Sequence, residues 1–217
     1  MKIVFTLIIA LFYSFWCPAQ ENSNNFSQIL QTYYLKTDRN IADKAIDFIN
    51  NTTLEYNKLE PVLVGFFGAI FVVDKEIKNE FKSKNSNIKK SDFQMLFNAL
   101  DTIPIDRIYL RTSPSANYND MNWSSFFATG DTKYLDNIVK NVRYSGERND
   151  ITLFFAGASA KWSLCSNSKH HKLVKEYLSG LRTKNPAIEE ILVKEPQAFG
   201  EETANIIKQQ KAKGIWK

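Results

Sequence analysis

PVLVGFFGAIFVV, residues 61–73, is the stretch whose reading decides the fold. Apolar side chains fall on every side of it, so whatever it forms is buried all round. Val and Phe are frequent in it, and a buried strand is the competing reading. Its length favours helix, and Ile77 and Phe81 continue just beyond it at a spacing of four. Pro61 suits a first helical turn, where its missing N–H costs nothing. The run from Val62 to Val73 is shorter than the roughly 20 residues needed to cross a bilayer, so it predicts the central helix of a core.

Helical spacing continues on both sides. Upstream, Phe26, Ile29, Leu30, Tyr33 and Tyr34 lie on one stripe, and Ile41, Ala45, Phe48 and Ile49 on another. Downstream, Ser91-Asp92-Phe93-Gln94 reads as a capping box that opens a helix with Phe93, Leu96, Phe97 and Leu100 on one face. Residues 103–118 hold Pro104 and Pro114 and show little periodicity. They predict the longest irregular connection, with a short extended piece at Ile108–Leu110, and the place for a hinge if the chain has one.

The second half is punctuated more clearly. Asp120 is placed to cap a helix bearing Trp123, Phe126 and Phe127, with Gly130 as a left-handed stop. Asp131 is placed to cap the next, with Tyr134, Leu135, Ile138, Val139 and Val142 inward. Asp150 opens a helix carrying Phe154, Ala158, Trp162 and Cys165. Asn167 or Ser168 then caps a partner with Val174, Tyr177, Leu178 and Leu181, and Asn185-Pro186 starts one more. Residues 120–143 and 150–181 thus read as two helix–turn–helix units. No period-2 alternation is present. The expectation is an all-α fold of stacked antiparallel helix pairs, either an irregular α–α repeat or a compact helical array, forming a single domain over residues 21–217.

The first twenty residues, MKIVFTLIIALFYSFWCPAQ, have the parts of an export signal: Lys2, an uncharged run from Ile3 to Trp16, and Pro18-Ala19-Gln20 before Glu21. Cleavage after Gln20 leaves a soluble chain, periplasmic or secreted, without a membrane span. Lipidation at Cys17 would need a small residue before it, whereas Trp16 and Phe15 stand there. The chain has two cysteines, and Cys17 leaves with the signal, so Cys165 has no partner for an intrachain disulfide. The formal charge is +5, of which Lys2 supplies one. That excess favours weak association with anionic surfaces but lacks the density of a nucleic-acid footprint.

Catalytic chemistry finds little foothold. His170 and His171 are adjacent and point about 100° apart on a helix, unlike an i, i+4 metal pair. Cys165 shares an apolar stripe, where a small buried residue is expected. Asp131/Asp136 and Glu189/Glu190 are acid pairs for glycoside hydrolysis in principle, but capping and helix-dipole roles account for them. The eight glycines form no phosphate loop. No catalytic, metal-binding or cofactor-binding residue is therefore assigned, and no cofactor is expected. Trp123, Tyr134 and Trp162 are the candidates for a partner or ligand groove, with core packing as the competing reading. Trp216, in the basic segment Gly214–Lys217, is expected to dock back on the body, with contact to a partner as the competing reading.

The phrases WSSFFATGDTKYL (123–135) and AKWSLCSN (160–167), the latter followed by His171 and Val174, resemble a group of exported bacterial proteins of unknown function with helical, tetratricopeptide-like organisation. The resemblance covers about residues 120–180. It implies helical pairs and export, and names no activity or site residue. The functional expectation is a binding scaffold for a protein or envelope polymer. A helical hydrolase of an envelope or polysaccharide substrate and a carrier of a small apolar ligand are the alternatives.

Overall fold

A computed structural model describes residues 21–216, with side chains from Phe26 onward. The proposed signal segment and Lys217 lie outside the described residues. The described chain is all-α: twelve α-helices, two short 3-10 turns and no strand. The helices are α1 (Glu21–Thr32), α2 (Ile41–Asn51), α3 (Tyr56–Val73), α4 (Lys75–Lys84), α5 (Ser91–Thr102), α6 (Ile105–Arg111), α7 (Ala116–Thr129), α8 (Lys133–Asn141), α9 (Ile151–His170), α10 (Lys172–Leu181), α11 (Pro186–Val193) and α12 (Pro196–Ala212). Backbone contacts divide the chain into two compact units. The first comprises residues up to Thr112 together with Asp120–Asp131; the second comprises Ser113–Asn119 and Thr132 onward.

The first unit is built around α3. Leu63, Phe66 and Phe67 are wholly buried, as the all-round apolar pattern requires. α3 begins at Tyr56, five residues earlier than Pro61 was expected to start it, so the proline sits inside the helix and forgoes one backbone bond. Phe67, Phe81 and Phe97 bring α3, α4 and α5 together, with ring centroids 4.5–5.2 Å apart in edge, tilted and stacked pairs. Such pairs contribute about 0.5–1.5 kcal/mol each beyond area burial. Lys78 donates to the Asp101 carbonyl at 2.6 Å and ties α4 to the end of α5. At Gly65 a neighbouring helix backbone touches: a β-carbon there would stand 2.1 Å from the Met121 carbonyl oxygen. Ser125 Oγ of α7 donates to the Gly65 carbonyl at 2.7 Å and also meets Tyr109 Oη.

The second unit repeats this device on α9. A β-carbon on Gly157 would lie 2.0 Å from the Ser145 nitrogen, in the 3-10 turn Val142–Gly146. Beside the crossing, Asn141 donates to Asn119 at 2.7 Å, and Asn119 donates to the Ala156 carbonyl and Ser159 Oγ, both at 2.8 Å. Trp216 docks as expected, 4% exposed, on Phe154 and Ala158. Gly214, at φ 70°, makes the turn that returns it, and the Ile215 and Trp216 amides reach the Gln210 carbonyl.

Several boundaries differ from the sequence reading. Residues 105–111 are helical, so the connection 103–118 holds α6 and Ile108–Leu110 is not extended. Pro104 stands just before the first helical residue, where it is compatible with a start. Gln94 does not complete a capping box with Ser91; its amide donates to the Ile88 carbonyl at 2.6 Å. Asp131 is not the cap of α8, which begins at Lys133 after Thr132. Asn167 and Ser168 lie within α9 and bond back to the Ser163 and Cys165 carbonyls, so the helix runs on to His170. Gly130, Asp150 and Asn185 do take their expected places.

The two crossing glycines predict an asymmetry among helical glycines. Gly157→Ala and Gly65→Ala should each lower unfolding stability by about 1–3 kcal/mol, the range for overpacking. Gly180→Ala, on α10 with nothing within 4 Å, should raise it by up to about 1 kcal/mol through helix propensity. Urea unfolding of the three variants measures both signs.

Candidate functional site

Asp120 is the chemically most unusual group among the described residues, and it was expected to be a helix cap. α7 instead starts at Ala116, where Ser115 Oγ accepts from the Tyr118 amide at 3.1 Å, so Ser115 does the capping. Asp120 sits one turn inside. Part of its surface reaches solvent, yet the surrounding protein is dense enough that burial pushes its carboxyl up to about 7, with no hydrogen bond to offset it. A carboxyl that exchanges its proton near neutrality can serve as a general acid or a proton carrier. Capping statistics could not distinguish Ser115 from Asp120, since both are good cap residues five positions apart.

The groove residues separate. Trp123 lies in the first unit, 2% exposed, stacked on Phe127 with centroids 5.5 Å apart. Tyr134 and Trp162 belong to the second unit. Tyr134 is buried, with the Lys133 ammonium 4.9 Å from its ring, and Trp162 is half-buried on α9. Trp123 and Tyr134 thus pack as core side chains, and Trp162 alone of the three keeps appreciable exposed surface. A recess in the second unit bordered by Phe154, Lys161, Phe199 and Glu202 encloses about 10 Å³, space for one water and not for an organic ligand.

Other reactive groups are held in structural contacts. Cys165 is fully buried, and its thiol donates to the Lys194 carbonyl at 3.1 Å; burial pushes it up to about 11. Glu190 accepts from Lys161 at 2.7 Å and from Lys194 at 2.5 Å. Burial raises its carboxyl, but these two ammonium groups outweigh that and hold it below the usual range. Glu189 is paired with Arg182, whose hydrogen bond lowers its carboxyl likewise. Asp136 accepts from the Tyr177 hydroxyl. His171 is half-buried at the start of α10 and held below 6.5 by burial and by His170. Among the described residues no group of three His, Cys, Asp or Glu side chains is arranged to hold a metal.

No family model, characterised protein or solved structure matches the chain.

Two outcomes follow from these environments. A raised carboxyl binds a proton more tightly in the folded state than in the unfolded one, so its contribution favours folding at low pH. That contribution is lost as pH rises from the unfolded value near 4 through about 7. Asp120→Asn should therefore melt at the same temperature as the parent below pH 4 and above it at pH 8, measured by calorimetry across that range. Cys165 should react with a thiol reagent at pH 8 only as fast as the protein opens, so its rate should rise with urea in step with unfolding.

Proposed function

We propose that this chain is exported and, after loss of its first twenty residues, acts as a helical scaffold that binds a protein or envelope polymer in the periplasm or medium. Support for export comes from the order Lys2, uncharged Ile3–Trp16, Pro18-Ala19-Gln20. The observation that carries the binding reading is the distribution of exposed apolar side chains. Among the described residues seven of the nine large ones, including Val72, Val73, Met95 and Leu110 (86% exposed), belong to the first unit. Scattered apolar side chains are ordinary, but this many on one unit favours a partner surface. Stacked helix pairs of the α–α repeat kind are part of the same reading.

A second reading rests on Asp120. A carboxylic acid that remains partly protonated at neutral pH is what a helical hydrolase needs for leaving-group protonation. It would take its place on an envelope polysaccharide if a paired base were supplied. Loss of turnover in Asp120→Asn, with the fold intact by circular dichroism, would distinguish it from the scaffold.

The scaffold reading is tested by expressing the full chain in an exporting cell and weighing the mature protein. An amino terminus at Glu21 is expected, and a retained, acylated Cys17 would overturn the soluble assignment. Cross-linking in the same cell should capture a discrete partner through the first unit. Replacing Val72, Val73 and Leu110 with Ser should lower capture at least tenfold, and unchanged capture would move the partner surface elsewhere.

A further inference from the structure

The segment KQQKAKGIWK, residues 208–217, carries four lysines and no acid. Elsewhere in the second unit Lys161 and Lys194 meet Glu190, Lys169 meets Glu195 and Lys172 meets Glu176, while the exposed Lys140, Lys175 and Lys184 are scattered singly along the chain. Lys208, Lys211 and Lys213 are exposed, and none of them has a carboxylate partner among the described residues. The acids of the same helix, Glu201 and Glu202, stand near its start. Six and nine residues of helix place Lys208 and Lys211 about 9 and 13 Å beyond Glu202, the first just past and the second well past the Debye length of about 8 Å at physiological salt. The lysines therefore face solvent as an uncompensated group. One lysine at a helix end is accounted for by the dipole; three in succession, continued past the helix, are not.

The same segment is fixed in place. Trp216 packs on Phe154 with ring centroids 4.9 Å apart, and the Gly214 turn leaves Ile215 at 48% exposure between Lys213 and the buried indole. Three exposed lysines and one exposed apolar side chain thus stand within an eight-residue stretch, 208–215, at the anchored end of α12. Nucleic acid is a poorer match. Its single-stranded form is gripped by stacking on exposed aromatics, and the one aromatic here is 96% covered by the protein's own core. A flat anionic surface needs only clustered charge within a Debye length, with an aliphatic group to enter the interface.

We propose that the lysine-bearing end of α12 docks on an anionic phospholipid surface, with Lys208, Lys211 and Lys213 facing the headgroup phosphates and Ile215 entering the interface. This assignment rests on neither export nor the scaffold reading. A lysine near such a surface contributes on the order of fivefold in partitioning, so three contribute on the order of a hundredfold.

The chain, with its amino terminus read by mass spectrometry, is sedimented with vesicles of phosphatidylglycerol and phosphatidylcholine, or of phosphatidylcholine alone. Binding is expected only to the anionic vesicles and should fall at least tenfold at 0.5 M salt, about where the Debye length has halved. K208Q/K211Q/K213Q should lose on the order of a hundredfold, and Ile215→Ser a smaller factor. K36Q/K75Q/K89Q removes the same charge from exposed lysines of the first unit and should bind like the parent. Equal loss in both triple variants, or equal binding to both vesicle types, would overturn the proposal. So would soluble polyphosphate that binds as tightly as the vesicles at equal phosphate and displaces them, because the surface would then be a general polyanion site.

Discussion

Two missing β-carbons constrain the rest of this structure. At Gly65 and at Gly157 a helix is crossed by another backbone so closely that any side chain would stand about 2 Å from its atoms. Both glycines lie inside the longest helix of their unit, where glycine costs up to about 1 kcal/mol of helix propensity. That cost is offset by what the close approach permits. In the first unit it sets Ser125 on the Gly65 carbonyl and Trp123, Phe126 and Phe127 into the core. In the second it lets the 3-10 turn Val142–Gly146 lie on α9, which brings Asn141 within reach of Asn119.

The polar groups near the crossings then become specific. Asn119 donates to two acceptors and accepts from Asn141 in a site closed to water. A satisfied buried amide tolerates neither a shift of one helix position nor an apolar substitute on one side only, since either strands its partner. Helical stripes of Leu, Ile and Phe allow several registers of comparable burial. The amide cluster and the Ser125 bond admit one. Hydrophobic periodicity thus supplies the drive to pack these helices, while the glycines and amides choose the packing.

This division explains what the sequence could convey. Apolar stripes such as Phe93, Leu96, Phe97 and Leu100 are repeated signals, and the helices they imply are present. Boundaries depend on single hydrogen bonds, and several capping residues competed for each end. Asp150 and Asn185 accept from amides just inside their helices, whereas Asp131, Asn167 and Ser168 are equally good cap formers that the structure uses otherwise. The helix at 105–111 was illegible for a different reason: it is short and largely exposed, with Ile105 its one buried residue, so it leaves no stripe. The close approaches at Gly65 and Gly157 were equally invisible, because they depend on a backbone remote in sequence.

The candidate site was the least legible part, and Asp120 shows why. A carboxyl is perturbed by how much protein surrounds it and by how few donors reach it, neither of which its sequence neighbours state. Asp150 and Asp120 look alike in the chain: each precedes an aromatic helical stripe by three or four residues. One accepts two backbone amides and serves the helix. The other is displaced inward by a single turn because Ser115 starts the helix first, and it loses those donors. Its capping role passes to Ser115 and its ionisation moves toward neutrality as a consequence of the same event. The aromatics that looked most like a binding surface, Trp123 and Tyr134, follow the opposite course, since burial converts them into packing. In this chain the position of helix starts, more than the identity of the residues, determines which groups can do chemistry.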